Sequence, residues 1–174
     1  MARFRLSGVC LGVLIAASAQ ATASAQISPA PGMFSVSGPV VFSQVGNPTM
    51  TCTADMDITV FAGGMTGAVT NFSFSPGHLL CGAFVPVGLP WTVNRITPAT
   101  MGRFEILNFA IVGLGSRCDK GRLIVSWDNY PPATGYVTTD GSMPGHVPTI
   151  SYPNAVCKIE GTITQVSGAP VEVD

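Results

Sequence analysis

Apolar and polar residues alternate along much of the chain. Between positions 50 and 61, Thr and Asp occupy every second position. The positions between them are apolar: Cys52, Ala54, Met56, Ile58 and Val60. Successive side chains of a strand point to opposite faces, so this pattern predicts a half-buried β-strand.

A second alternating strand opens the stretch 71–91, NFSFSPGHLLCGAFVPVGLPW. Phe72 and Phe74 fall on one face of this strand, with serines on the other. A Pro-Gly break follows, then an apolar segment around Cys81 and a turn that leads into Trp91. The stretch is interpreted as a cross-linked core segment of a sheet, without a candidate catalytic group.

The remaining segments continue the β pattern, and none shows helical periodicity after the first residues. The predicted strands cover residues 33–43, 50–61, 68–75, 92–96, 103–113, 122–128, 136–139 and 155–166. Gly and Pro interrupt them at short intervals, which indicates a single antiparallel β-sandwich or barrel-like domain.

Five local expectations accompany this all-β prediction. Gly38-Pro39 predicts a bend or a bulge in the first strand, or a position at the edge of the sheet, because proline has no N–H to donate to a neighbouring strand. Both faces of residues 103–113 are mostly apolar, which predicts a central strand covered on both sides. Residues 139–148 are expected to be a loop, 26–32 an extended entry segment and 167–174 a loose tail.

The first 25 residues have the features of a secretory signal peptide. Arg3 and Arg5 precede an apolar stretch over 6–17, and Ala23-Ser24-Ala25 matches a cleavage site. Cleavage is expected after Ala25, with Ala21 as the alternative, leaving one secreted domain over 26–174. No later segment approaches the roughly 20 apolar residues of a membrane span. The expected destination is extracellular, with the periplasm or the outer cell surface as alternatives.

Five cysteines are present, and Cys10 lies within the predicted signal peptide. An even number in an exported chain predicts two disulfides, for which three pairings exist. The four cysteines are Cys52, Cys81, Cys118 and Cys157. The pairs 52–81 and 118–157 are favoured, because each joins segments that are neighbours in sequence.

A metal site is the alternative use of these cysteines, since His78 and Cys81 have ligand-like spacing. No second pair matches them, and His146 is isolated in a Gly- and Pro-rich segment. Neither a metal nor another cofactor is therefore expected.

Charge is scarce in this chain. Charged residues make up 10% of it, with a net charge of −1, against about 25% in a typical domain. No basic cluster is present, which argues against nucleic acid as a partner. A surface low in charge suits self-association, adhesion or contact with apolar material, although it is also common in secreted β proteins.

Few side chains are candidates for chemistry. Asp55 and Asp57 share one strand face, but this spacing is more typical of a solvated surface than of an acid–base pair. No serine has the sequence context of a nucleophile, so an enzyme is not predicted. Trp127, Tyr130 and Tyr136 are a candidate aromatic surface for stacking on sugars, unless Trp127 is buried.

The order of segments resembles the PraB-type secreted proteins, the family of activators of alkane oxidation in bacteria that grow on hydrocarbons. The resemblance lies in ISPAPGMFSVSGPVVFSQ, TMTCTADMDITV, FSFSPGHLLC and GLPWTV, and continues in ILNFAIVGLGSRC and CKIEGTIT. It implies a secreted, non-enzymatic protein that aids uptake or emulsification of long alkanes, and it supplies no catalytic residues.

Two other functions stay open at this point. One is a fimbrial or cell-surface subunit with residues 26–32 as a donor strand. The other is a carbohydrate-binding module that uses Trp127 and the two tyrosines.

Overall fold

The computed structural model describes residues 26–44, 49–75, 77, 79–96, 102–114, 116–129, 133–139, 143–146 and 155–174. These residues form strands and a single 3-10 turn, Cys81–Ala83, without an α-helix. The strands are β1 (Ile27–Ser28), β2 (Gly32–Gln44), β3 (Met50–Val60), β4 (Thr66–Ser75), β5 (Val85–Pro86), β6 (Trp91–Arg95), β7 (Arg103–Gly113), β8 (Ser116–Asp128), β9 (Thr134–Thr139), β10 (Met143–His146), β11 (Ala155–Gly168) and β12 (Glu172–Val173). The predicted signal peptide, 1–25, lies outside the described residues.

Eight antiparallel strands close into a barrel. Their order around it is β8, β9, β11, β2, β3, β4, β6 and β7, and β7 pairs with β8 to complete the circle. The predicted all-β antiparallel domain is confirmed, in its barrel form.

Large apolar side chains fill the barrel interior. In β3 every second residue, from Met50 to Val60, is buried, as the alternation predicts. Trp91 packs against the rings of Phe109 and Phe72, with ring centroids 4.5 and 5.2 Å away. Eight-stranded barrels enclose just enough space for side chains. The described interior is thus a packed core.

A bulge in β7 corrects the prediction for this strand. Asn108 has a φ of 63° and is an extra residue, since Leu107 pairs with Arg122 and Phe109 with Gly121 of β8. The inward face therefore changes at this point, from Phe104 and Ile106 to residues 109 and 111. The prediction that both faces are covered holds only in part: on the outward face Ala110 is buried, but Asn108 and Val112 are exposed. Asn is among the residues that tolerate positive φ.

Gly38 and Gly161 let β2 and β11 approach closely. β2 is one continuous strand that pairs with β3 even at Pro39, while its bridges to β11 stop at Val40 and resume at Ser37. A Cβ at position 38 would lie 2.8 Å from Ile163 Cα, and one at 161 would lie 2.6 Å from Val40 Cα. Pro39, which has no backbone N–H to donate, thus lies where β2 and β11 form no bridge.

Gly38→Ala is expected to destabilise the barrel by about 1–3 kcal/mol, because the new methyl group would displace the β11 backbone. The matched control is Gly82→Ala, since a Cβ at that position meets nothing within 4 Å. Urea unfolding monitored by near-UV circular dichroism measures both. Equal midpoints for the two variants would contradict the close approach.

The first and last described segments pair with each other at one end of the barrel. β1 and β12 are antiparallel partners, Ile27 opposite Val173. Ile27, Val171 and Val173 are buried, so residues 167–174 differ from the loose tail that was expected. Their Val-Glu-Val alternation is too short to identify as a strand from sequence.

Within the predicted loop 139–148, the structure contains a strand, β10, that pairs with both β8 and β11. The prediction of a loop is wrong for this part of the segment.

Both disulfides have the favoured pairing. Cys52 in β3 is bonded to Cys81 in the 3-10 turn, and Cys118 in β8 is bonded to Cys157 in β11. All four residues are buried. The first bond anchors the segment after β4 to the barrel wall, and the second joins β8 to β11 where β10 lies between them.

Candidate functional site

Exposed aliphatic side chains gather at the barrel end that carries the Cys52–Cys81 disulfide. Leu79 is 96% exposed and Val85 is 53% exposed. Val85 in β5 pairs directly with Val112 in β7, which is also exposed. We define the apolar rim by its exposed members: Leu79, Ala83, Val85, Val112 and Leu114.

Two buried side chains hold the rim in place. Cys81 is bonded to β3, and the Phe84 ring packs 4.9 Å from Phe42 and 6.2 Å from Phe74. Between them the 3-10 turn closes through a hydrogen bond in which Phe84 N donates to Cys81 O, 3.2 Å. Ala83 and Val85 are therefore next to the anchored Phe84, and Leu79 is two residues from Cys81.

Gly113 brings β7 against the same segment. A Cβ at position 113 would lie 2.5 Å from Ala83 O and 2.9 Å from Phe84 Cα. A larger residue would separate Val112 and Leu114 from the turn. The glycine thus keeps the aliphatic surface continuous.

The segment that supplies Leu79, Ala83 and Val85 to the rim lacks charge. No Asp, Glu, Lys or Arg occurs between Asp57 and Arg95. Arg117 lies opposite Val112 on β8 and is exposed, so it borders the rim on that side. An uncharged aliphatic surface offers water few hydrogen bonds, and its removal from water is favourable.

Asp55 and Asp57 are hydrogen-bond acceptors between strands. Asp55 accepts from Ser37 Oγ at 2.6 Å and from Ser75 Oγ at 2.7 Å. Asp57 accepts from Ser35 Oγ at 2.6 Å and from Asn71 Nδ2 at 3.1 Å. Each carboxylate thus ties β3 to both of its neighbours on the outer barrel face.

The candidate aromatic surface is not assembled around Trp127. Trp127 is 6% exposed, its Nε1 donates to Val171 O at 3.1 Å, and its ring packs on Phe34 and Phe104. Tyr136 is half exposed, and Tyr130 lies outside the described residues. Trp127 belongs to the core, so the prediction that it contributes to an aromatic binding surface is wrong.

Arg95 closes the end of the barrel opposite the rim. Its guanidinium is buried and donates to three main-chain oxygens: Nε to Asp174 O at 2.6 Å, and one terminal nitrogen to Ile96 O and Arg103 O at 2.5 Å each. Burial lowers the pKa of Arg95, and the charge of Asp174 partly offsets that effect. Sequence analysis did not identify Arg95, because its partner Asp174 is 79 positions away.

Asn129 and Gln165 hold the terminal strand next to Arg95. Val173 N donates to Asn129 Oδ1 at 2.9 Å, and Val171 N donates to Gln165 Oε1 at 3.0 Å. Both amides line a shallow, open hollow of about 250 Å³. Since their polar groups bind the terminal strand, the hollow is not a convincing ligand site.

Metal-binding clusters are not found among the described residues: no three His, Cys, Asp or Glu side chains there are grouped to hold an ion. His78 and the side chain of His146 lie outside what the structure describes. The same part of the chain contains no helix long and apolar enough to cross a membrane.

These features define a closed, disulfide-linked β-barrel with a packed interior and an aliphatic surface at one end. The chain belongs to the family of PraA/PraB-like alkane oxidation protein activators, whose model matches residues 1–173. Comparison with curated proteins and with solved structures gives no match.

Proposed function

We propose that this protein is a secreted, non-enzymatic accessory factor of alkane oxidation that adsorbs to hydrocarbon and disperses it in water. The observation that carries the proposal is the exposed aliphatic surface of a barrel that belongs to this family. Dispersed hydrocarbon presents more area to the cell, which favours its uptake.

The packed interior supports action at the surface. Trp91, Phe104 and Phe109 are fully buried and occupy the space in which a barrel would otherwise hold a ligand. An alkane has no hydrogen-bonding group, so burial of apolar area, at about 25 cal/mol per Å², is its main source of affinity. Such burial needs an exposed apolar surface rather than a shaped polar pocket.

The disulfides support function at an interface. Proteins that adsorb to oil tend to unfold, because their core residues can replace contacts with one another by contacts with hydrocarbon. Each disulfide closes a loop of about 30 to 40 residues and restricts the unfolded chain. The barrel is thereby stabilised against spreading on the oil.

A non-enzymatic role is supported by the polar side chains that sequence analysis weighed for chemistry. Both oxygens of Asp55 and of Asp57 accept hydrogen bonds from neighbouring strands. They therefore act as structural links in the sheet.

The two other functions have less support. Strand addition requires an open edge and a free donor, but the eight main strands form a closed barrel and Ile27 pairs with Val173 of the same chain. Sugar stacking requires exposed aromatic rings, and Trp127 is buried.

The protein is expected to lower the interfacial tension between hexadecane and water and to stabilise a hexadecane emulsion. The control is a globular protein of similar size and charge at equal molar concentration. In the source organism, deletion of the gene is expected to slow growth on long alkanes and to leave growth on the corresponding alcohols unchanged. Tension and emulsion lifetime no better than those of the control would overturn the proposal.

A further inference from the structure

We propose that the apolar rim is the surface that enters the hydrocarbon, so that the barrel adsorbs end-on in a fixed orientation. This inference rests on the proposed function and adds the site of contact to it. It commits to one occupant, a liquid aliphatic hydrocarbon.

The side chains of the rim favour a fluid aliphatic phase over a protein partner. Energetically dominant residues of protein interfaces are enriched in Trp, Tyr and Arg. The rim exposes Leu, Val and Ala instead, with no aromatic or charged side chain among its five members. Such a surface offers a protein partner few directional contacts, whereas a liquid alkane adapts to its shape without needing any.

The lack of charge in the segment that carries Leu79, Ala83 and Val85 also distinguishes hydrocarbon from an anionic lipid surface. Binding to anionic headgroups depends on several Lys or Arg residues near the apolar side chains. The segment 58–94 contains no charged residue. Arg117 at the border has a long aliphatic stem, which lets its charged group stay in water while the rim is immersed.

The opposite end of the barrel is less suited to immersion. Met33, Phe61, Met65 and Val166 are exposed there. Gly64, in the turn that contains Met65, accepts a hydrogen bond at its O from Ile27 N of β1. The next residue of β1, Ser28, pairs with Glu172. Immersion of this end would bring the Glu172 side chain close to oil, and removing a carboxylate from water is costly.

The anchors of the rim explain how it would remain in one conformation in oil. Cys81 and Phe84 attach the turn to the core, and Leu79 and Val85 extend outward from it. Contact of these two side chains with oil therefore does not require core residues to move. Immersion therefore buries side chains that are already exposed. The core stays closed.

The test compares adsorption isotherms on hexadecane droplets for the wild-type protein and two double variants. The rim variant is Leu79→Ser with Val85→Thr, and the matched control is Met33→Ser with Phe61→Ser at the opposite end. All are expressed as the full chain in a secreting host, and circular dichroism and urea unfolding establish that each is folded. Loss of two immersed aliphatic side chains is expected to weaken adsorption by about tenfold or more. The control should stay within about twofold of wild type.

Each outcome has a separate meaning. If wild type adsorbs and the rim variant matches it, or if both variants weaken equally, the rim assignment is overturned and the proposed function stands. If wild-type protein itself fails to adsorb, the proposed function is overturned.

A second measurement keeps the rim assignment testable if the double variant does not fold. Leu79→Trp and Met33→Trp each add one exposed indole, while the native Trp91 and Trp127 are buried. On droplets, the indole at position 79 is expected to be protected from iodide quenching and the one at 33 to stay accessible. Equal quenching of the two would overturn the rim assignment.

Discussion

Replacing Cys52 and Cys81 together by alanine is expected to lower the free energy of unfolding by about 4 kcal/mol. The two residues are 29 positions apart, and the bond between them restricts the unfolded chain. Both are buried, so alanine avoids placing a new polar group in the core. This is a large part of the 5–15 kcal/mol that stabilises a typical domain.

The matched control is the Cys118→Ala, Cys157→Ala variant. Its bond spans 39 positions, so its loss of stability should be similar. The two variants should differ in adsorption, because Cys81 belongs to the segment that carries Leu79, Ala83 and Val85, whereas Cys118 lies in the barrel wall opposite Ile111. Urea unfolding measures the first property and the droplet isotherm the second. If both disulfide variants adsorb like wild type, the bond at Cys81 does not hold the rim.

Arg95→Met is expected to destabilise the barrel by several kcal/mol, because each buried acceptor left without a donor costs about 1–3 kcal/mol. Methionine fills similar space but removes the side-chain donor of Ile96 O and Asp174 O, and leaves Arg103 O with one donor, Ile96 N. Because Asp174 O is one of these acceptors, the terminal strand should loosen first. Hydrogen exchange should therefore accelerate at residues 171–174 before the rest of the barrel.

Arg103→Met is the control for this loss of charge. Arg103 is exposed and its Nε donates to Ser126 Oγ at 3.2 Å. An exposed substitution of this kind usually changes stability by no more than about 0.5 kcal/mol. Arg95→Lys should recover part of the loss, since an ammonium supplies fewer and less well-directed donors than a guanidinium. Equal effects of Arg95→Met and Arg103→Met would contradict the role of Arg95.

Local patterns were enough to predict much of the barrel wall. The alternation in β3 identified its buried face, and the spacing of cysteines favoured the two bonds that the structure contains. The faces of β7 were predicted wrongly because one extra residue, Asn108, reverses which side chains point inward beyond it. A prediction from alternation assumes an unbroken register. Arg95 and the terminal strand depend on contacts between distant parts of the chain, which periodicity does not encode.

The candidate site was hidden for a different reason. The segment around Cys81 was interpreted as core because its residues are apolar, and Cys81 and Phe84 are indeed buried. Leu79 and Val85 have the same apolar character but point outward. Without a regular period, hydrophobicity alone cannot separate the two sets. Exposure becomes evident only when the turn is placed against β7.

The meeting of the terminal segments has a practical consequence for attachment. Asp174 N donates to Gln26 O at 3.1 Å, so both positions lie at the barrel end away from the rim. Along β3, the path from Val60 near that end to Cys52 near the rim is about 26 Å. A linker fused at either position would therefore display the rim outward from a bead, a sensor chip or a cell. Immobilised barrels of this kind would present one uniform oil-collecting face.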